Sequence, residues 1–140
     1  MVGALVVTHG NLALELVKAA KKIVGEALRL QAVVIDWDDD VSLARATIRE
    51  SMKQVDTGHG VLIFTDMFGG TPTNISLTFL DPGRAEIVTG INLPMLIKFL
   101  NLRDEEDLAS VVEQICTKGR RSIQVASELL RRHESRAGKD

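Results

Sequence analysis

Residues 61–74 run Val61-Leu62-Ile63-Phe64-Thr65-Asp66-Met67-Phe68-Gly69-Gly70-Thr71-Pro72-Thr73-Asn74. Four consecutive apolar residues suit a short strand covered on both faces. Thr71 to Asn74 open a helix, with Pro72 in the first turn, where a missing N–H costs nothing. The stretch is therefore a strand, a glycine-bearing loop and a helix start. That order belongs to parallel sheets built from strand–helix–strand units.

The same alternation extends in both directions. Upstream, Gly58-His59-Gly60 marks a turn, and residues 41–55 predict a helix with Leu43, Ile48, Met52 and Val55 on or near one stripe. Asp39 or Asp40 is its expected N-cap. Leu30 to Ile35 predicts a strand. Leu12, Leu16, Ala19, Ala20 and Ile23 recur at helical spacing, after a first strand at Ala4-Leu5-Val6-Val7. Downstream, Asp81-Pro82-Gly83 is a turn, Glu86 to Thr89 a short fourth strand, and Pro94 to about Leu100 a helix. A further helix is expected from about Glu105 to Thr117, stopping near Gly119. Ser122 to Ala126 alternates polar and apolar residues and reads as a short, half-exposed strand, with continuation as helix into Leu130 as the alternative. From His133 the tail is polar.

The fold class is α/β, a doubly wound, mainly parallel sheet with helices on both faces and right-handed crossovers. One domain is expected over residues 1–130, with 131–140 as a polar C-terminal tail. Ligands in such folds bind beyond the carboxyl ends of the strands. That singles out the loops at residues 8–11, 36–40, 65–73 and 90–94.

Composition narrows the function classes. The chain has 140 residues and a formal net charge of −2, which speaks against nucleic acid, whose backbone demands clustered Lys and Arg. Lys118, Arg120, Arg121, Arg131 and Arg132 are interleaved with other residue types and read as a solvated face. Cys116 is the one cysteine, so no internal disulfide or Cys-rich metal site can form; a buried, inert thiol is expected. No secretory signal and no membrane-spanning run is legible. A cytoplasmic protein without direct membrane insertion is expected, and no cofactor.

Chemistry gathers at the predicted edge. The first strand ends in Thr8-His9-Gly10 and the third in Thr65-Asp66. If these strands are neighbours, His9 and Asp66 meet. A histidine there can act as a nucleophile near neutral pH. The carboxylate can take one ring N–H, which leaves the lone pair of the other nitrogen to attack, and it balances the charge that grows on the ring. Gly69-Gly70-Thr71 precedes a helix, where backbone N–H groups attract anions and glycines permit close approach. A lone loop histidine is more often structural, and Gly-Gly before a helix is usually just a turn; the conjunction at one edge is what points to phosphoryl transfer. The dinucleotide and nucleoside-triphosphate glycine motifs are missing. His59, at the opposite edge, and His133, in the tail, are expected to be silent. Asp38-Asp39-Asp40 lacks calcium-loop spacing and reads as loop and helix cap. Trp37 fits core packing or partner docking.

Three segments carry a family resemblance: Val6-Val7-Thr8-His9-Gly10, Thr65 through Asn74, and Val88-Thr89-Gly90-Ile91-Asn92-Leu93-Pro94-Met95-Leu96. With them the chain, from residue 2 to about 130, resembles the EIIA domain of the mannose family of the bacterial phosphoenolpyruvate-dependent sugar phosphotransferase system (PTS). The resemblance implies a phosphotransferase, a phosphohistidine carrier in sugar uptake. His9 matches the histidine phosphorylated at Nε2, and Asp66 matches the carboxylate on its other nitrogen. Gly69, Gly70 and Thr71 match the phosphoryl-binding loop, where many relatives carry Ser instead of Thr. Phospho-HPr is the implied donor. The implied acceptor is a cysteine or histidine of an EIIB domain, expected on a separate protein because this chain stops without one. The resemblance also implies a sheet in order 2-1-3-4 and a homodimer exchanging an antiparallel edge strand, matched by Ser122 to Ala126. Two related roles share these residues: a regulatory PTS protein whose His9 phosphorylation controls a partner, and a phosphocarrier subunit feeding a dihydroxyacetone kinase. A receiver-like module phosphorylated on Asp66 is disfavoured, since the first strand lacks the acidic pair that would hold magnesium.

Overall fold

The computed structural model describes residues 1–137 except Trp37, Asp39, Asp104 and Glu105. The chain alternates strand and helix as β1 (Gly3–His9), α1 (Leu12–Val24), β2 (Leu30–Ile35), α2 (Val41–Val55), β3 (Val61–Thr65), α3 (Thr71–Leu77), β4 (Ala85–Thr89) and α4 (Leu93–Leu100). Helices α5 (Leu108–Arg121) and α6 (Ala126–Ala137) follow. The four strands form one sheet in order β2-β1-β3-β4, and all neighbouring pairs are parallel. Strand order and the doubly wound class agree with the expectation.

Alternating side chains divide the core into two layers, because successive residues of a strand point to opposite faces. Ala4, Val6, Leu62 and Phe64 face α1, α4 and α5, where Val17, Leu96, Phe99 and Ile115 meet them. Leu5, Val7, Val33 and Ile63 face the other way, against Ala44 and Ile48 of α2 and Ile75 of α3. Phe64 and Phe99 meet edge to face at 6.4 Å between ring centroids. The Arg29 guanidinium lies 4.5 Å above the Phe99 ring and donates to the Phe99 and Leu100 carbonyls, pinning the end of α4 to the start of β2. Cys116 packs against the first layer and is half-buried rather than fully buried.

Caps set several boundaries. Asp40 accepts from Ser42 N to start α2, Asn92 accepts from Met95 N to start α4, and Asp107 accepts from Ser110 N to start α5. Of the sequence readings, Trp37 and the alternative cap Asp39 lie outside the described residues.

The C-terminal segment differs from the expectation. Among the described residues no fifth strand joins the sheet. Residues 123–125 are a non-helical link between α5 and α6, and α6 takes in most of the stretch read as a polar tail. The alternation of Ile123 and Val125 is real, but a strand needs an edge to pair with, and within one chain this link pairs with none. All residues from 123 to 136 are exposed. Among the described residues, no helix is long and apolar enough to cross a membrane.

Candidate functional site

His9 is the last residue of β1, and Asp66 lies just beyond the last residue of β3. The two strands are hydrogen-bonded neighbours, with Val7 opposite Thr65, so register alone brings the two side chains to the same carboxyl edge. Asp66 Oδ2 accepts twice from His9, from the backbone N–H at 3.0 Å and from ring Nδ1 at 2.6 Å. Asp66 Oδ1 accepts from Met67 N at 3.0 Å. Partial burial pushes the Asp66 carboxyl upward, but the His9 backbone N–H, the ring bond, the charge of His9 and the Met67 N–H together outweigh it, so its pKa lies below the ordinary carboxylate value. Asp66 is therefore ionised at neutral pH and can only accept. The proton of this bond sits on Nδ1, and the lone pair of the neutral ring sits on Nε2.

Nε2 faces the glycine loop. A Cβ built on Gly70 would stand 2.9 Å from His9 Nε2 and 3.1 Å from Cε1, and Gly70 has φ +82°. Both steric room and backbone conformation thus require glycine. Gly69 also has a positive φ, yet a Cβ there would meet nothing within 4 Å. Of the two glycines read from the sequence, Gly70 is the one that lies against the ring.

Gly70 also caps α3. The first helical bond runs from Asn74 N to Gly70 O, so the N–H groups of Thr71 and Thr73 have no helical acceptor, and Pro72 has no N–H to satisfy. A small cleft opens beside His9, with Thr8, Asp36 and Thr71 among its polar lining and Ile35, Pro72 and Ile75 among its apolar lining. The structure thus brings His9, Asp66, Gly70 and Thr71 together.

Three residues not singled out by sequence support this edge. Thr8 is fully buried, and its hydroxyl accepts from Ala13 N at 2.7 Å, which caps α1 from within the strand that carries His9. The Thr65 carbonyl accepts from Gly90 N and Ile91 N. Thr73 is buried and bonds the Met67 carbonyl. Their common signal is a threonine ending an apolar strand run, or following Gly-Gly in a helix's first turn.

His59 lies at the other end of the sheet, before β3. Its Nδ1 is 3.0 Å from Thr57 Oγ1 and 3.3 Å from Met1 N. His133 is exposed on α6.

Known proteins are similar to this chain in sequence and in fold. The family model EIIA-man, described as PTS system fructose IIA component, matches residues 3–116. The chain is 29% identical over 131 residues to the PTS system fructose-specific EIIA component of Bacillus subtilis (strain 168), covering 93% of this chain and 90% of that protein. It is 30% identical over 100 residues to the PTS system mannose-specific EIIAB component of Escherichia coli (strain K12), covering 71% of this chain but 31% of that longer protein. In structure it is similar to the PTS IIA protein associated with the fucose utilization operon of Streptococcus pneumoniae. The TM-score is 0.81 at 26% identity, over 92% of this chain and 96% of that one.

Proposed function

The chain belongs to the EIIA-man family of PTS IIA components, and on that premise we propose that it carries a phosphoryl group on His9 Nε2. One observation supports this above the others: Nδ1 is held at 2.6 Å by an ionised carboxylate while Nε2 faces the glycine that opens α3.

The reaction follows from that placement. The Nε2 lone pair attacks phosphorus on the donor, the bond from phosphorus to the donor nitrogen breaks, and the donor ring keeps that electron pair. The His9 ring gains positive charge as the Nε2–P bond forms, and Asp66 balances it through Nδ1–H. Phosphoryl transfer asks mainly for positioning and charge stabilisation; the α3 N-terminus and the Thr71 hydroxyl supply donors for the phosphoryl oxygens. Reversal of the same step hands the group on. The donor is phospho-HPr and the acceptor an EIIB protein. The protein works as a homodimer in which residues 122–126 reach the partner's sheet; the exposed Ile123, Val125 and Leu130 are apolar surface that such a contact would cover. Size-exclusion chromatography with light scattering checks this, and a monomer at micromolar concentration speaks against it.

The deciding experiment is incubation with purified phospho-HPr, then mass-spectrometric mapping. The expected label sits on His9, survives alkali and is lost in acid, as a phosphoramidate is. An alkali-labile label on Asp66, or a label on His59, overturns the assignment.

A further inference from the structure

The loop carrying Asp66 and Gly70 has little to hold it in place. Met67 is 56% exposed and Phe68 75% exposed, and the two glycines after them have no side chains, so no apolar anchor ties residues 67–70 to the core. The tie is made by hydroxyls beneath the loop. Thr65 closes β3 and Thr73 lies in the first turn of α3, and both are fully buried. The Thr73 hydroxyl bonds the Met67 carbonyl and lies 3.1 Å from Thr65 Oγ1. Met67 is thereby gripped on both sides. Its N–H donates to Asp66 Oδ1 and its carbonyl accepts from Thr73.

We propose that Thr73 is a positioning residue for phosphoryl transfer. Its hydroxyl closes the loop over the end of β3, and through Met67 it sets where Asp66 meets Nδ1 and where Gly70 meets Nε2. The proposal rests on the His9 function stated above. Valine has nearly the shape of threonine but no donor, so Thr73→Val leaves the Met67 carbonyl without its partner and lets the loop relax. Serine keeps the donor.

The test needs no partner protein. Potassium phosphoramidate serves as donor; its phosphoryl group moves to Nε2 and ammonia leaves. Phosphohistidine formation is followed by 31P NMR, and the His9 ring by 15N NMR before any donor is added. For Thr73→Val the rate is expected to fall about ten- to a hundredfold, the scale of a misplaced reacting group. The Nδ1 signal should shift as its bond to Asp66 loosens, and Thr73→Ser should restore both. Wild-type rate and ring shifts in Thr73→Val overturn the proposal. So does a serine variant as impaired as valine, which would mean that a hydroxyl at this position does not by itself hold the loop. If circular dichroism shows Thr73→Val unfolded, Thr73→Ala against Thr73→Ser decides the same question. A wild-type protein that takes no phosphoryl on His9 from phospho-HPr removes the function proposed above, while the ring signals still decide whether Thr73 sets the His9–Asp66 geometry.

Discussion

His9 and His59 stand at opposite ends of the same sheet, one closing β1 and the other preceding β3. Each ring has its Nδ1 within bonding distance of an oxygen. What separates them is the kind of oxygen and what faces the remaining nitrogen. Among the described residues, His9 is the one histidine paired with a carboxylate, and its Nε2 lies under a glycine with a positive φ. His59 lies beside a hydroxyl and a backbone nitrogen, in an exposed turn. A carboxylate fixes the tautomer and compensates a growing positive charge; a hydroxyl can do neither well. The two ends of a parallel sheet also differ in the helix terminus they present. Helices begin at the carboxyl end, and helix N-termini offer N–H groups to anions. Histidine chemistry here is a property of the sheet edge and its loop.

The widest gap expected between the two ends is in phosphoryl acceptance. His9→Ala should abolish it, and His59→Ala should leave it at the wild-type level. Intact-mass measurement after incubation with phospho-HPr reads both variants at once. Labelling of the His9 variant, or loss of labelling in the His59 variant, breaks the comparison.

The next largest effect separates the two glycines of the loop. Gly70→Ala forces a side chain into an extended backbone with positive φ (φ 82°, ψ 170°) that is essentially reserved for glycine, costing about 1–3 kcal/mol, and puts a methyl group where the phosphoryl must enter, 2.9 Å from Nε2. Gly69→Ala carries a similar backbone cost at φ +92° but meets no neighbouring atom. Both should lower the melting temperature, Gly70→Ala by more because its methyl also meets the His9 ring, while Gly70→Ala alone should lose most of its phosphoryl acceptance. Equal acceptance by both variants would mean that the Nε2 face is not the route of transfer.

A feature is legible in the sequence to the extent that its causes are local. The bounds of α2 are readable at both ends, because an Asp cap, a helical stripe and a glycine turn all lie within or beside the segment itself. The pairing of His9 with Asp66 is readable because it needs only that β1 and β3 be neighbours. The strand read at 122–126 is a local pattern too, but a strand is completed by its partner, and the single chain provides none. Helix α6 reads only as the alternative, because its apolar residues Ala126, Leu129 and Leu130 recur at helical spacing but cover no core in the single chain. The buried hydroxyls of Thr8, Thr65 and Thr73 are invisible for a different reason. Threonine is common in strands and first turns, and burial at a site edge emerges only once the layers are assembled.

An intermediate effect should come from the charge on Asp66. Asp66→Asn keeps a group that can accept from Nδ1–H, yet it cannot balance a positive ring and can present its NH2 to the wrong nitrogen. Transfer should slow by roughly a hundredfold, the low end of what a positioned acid–base partner contributes, with the circular dichroism spectrum unchanged. Wild-type kinetics for this variant would reduce Asp66 to a loop cap and erase the main difference between the two histidines.

The smallest effect expected concerns stability and pH, and its sign comes from Asp66. Its carboxyl is held below the ordinary value in the folded chain, whereas an unfolded aspartate titrates near about 3.9. A depressed folded pKa contributes stability that is fully present above the unfolded value and is lost as pH falls through the folded one. Melting temperatures of wild type and Asp66→Asn, followed from neutral pH into the acid range, read this contribution. Below the ordinary carboxylate range the difference should move against the wild type, since protonation removes the charge from the bonds to the His9 backbone, the ring and Met67. Acidic groups away from residue 66 cancel in the difference, so the remaining pH dependence belongs to this carboxylate and the His9 ring bonded to it. His59→Ala, which touches no carboxylate, should track the wild type through the same window. A melting-temperature difference for Asp66→Asn that stays flat through the acid range would mean that the carboxylate is no better bound in the folded chain than in water, and the short bond to His9 would then carry neither stability nor orientation.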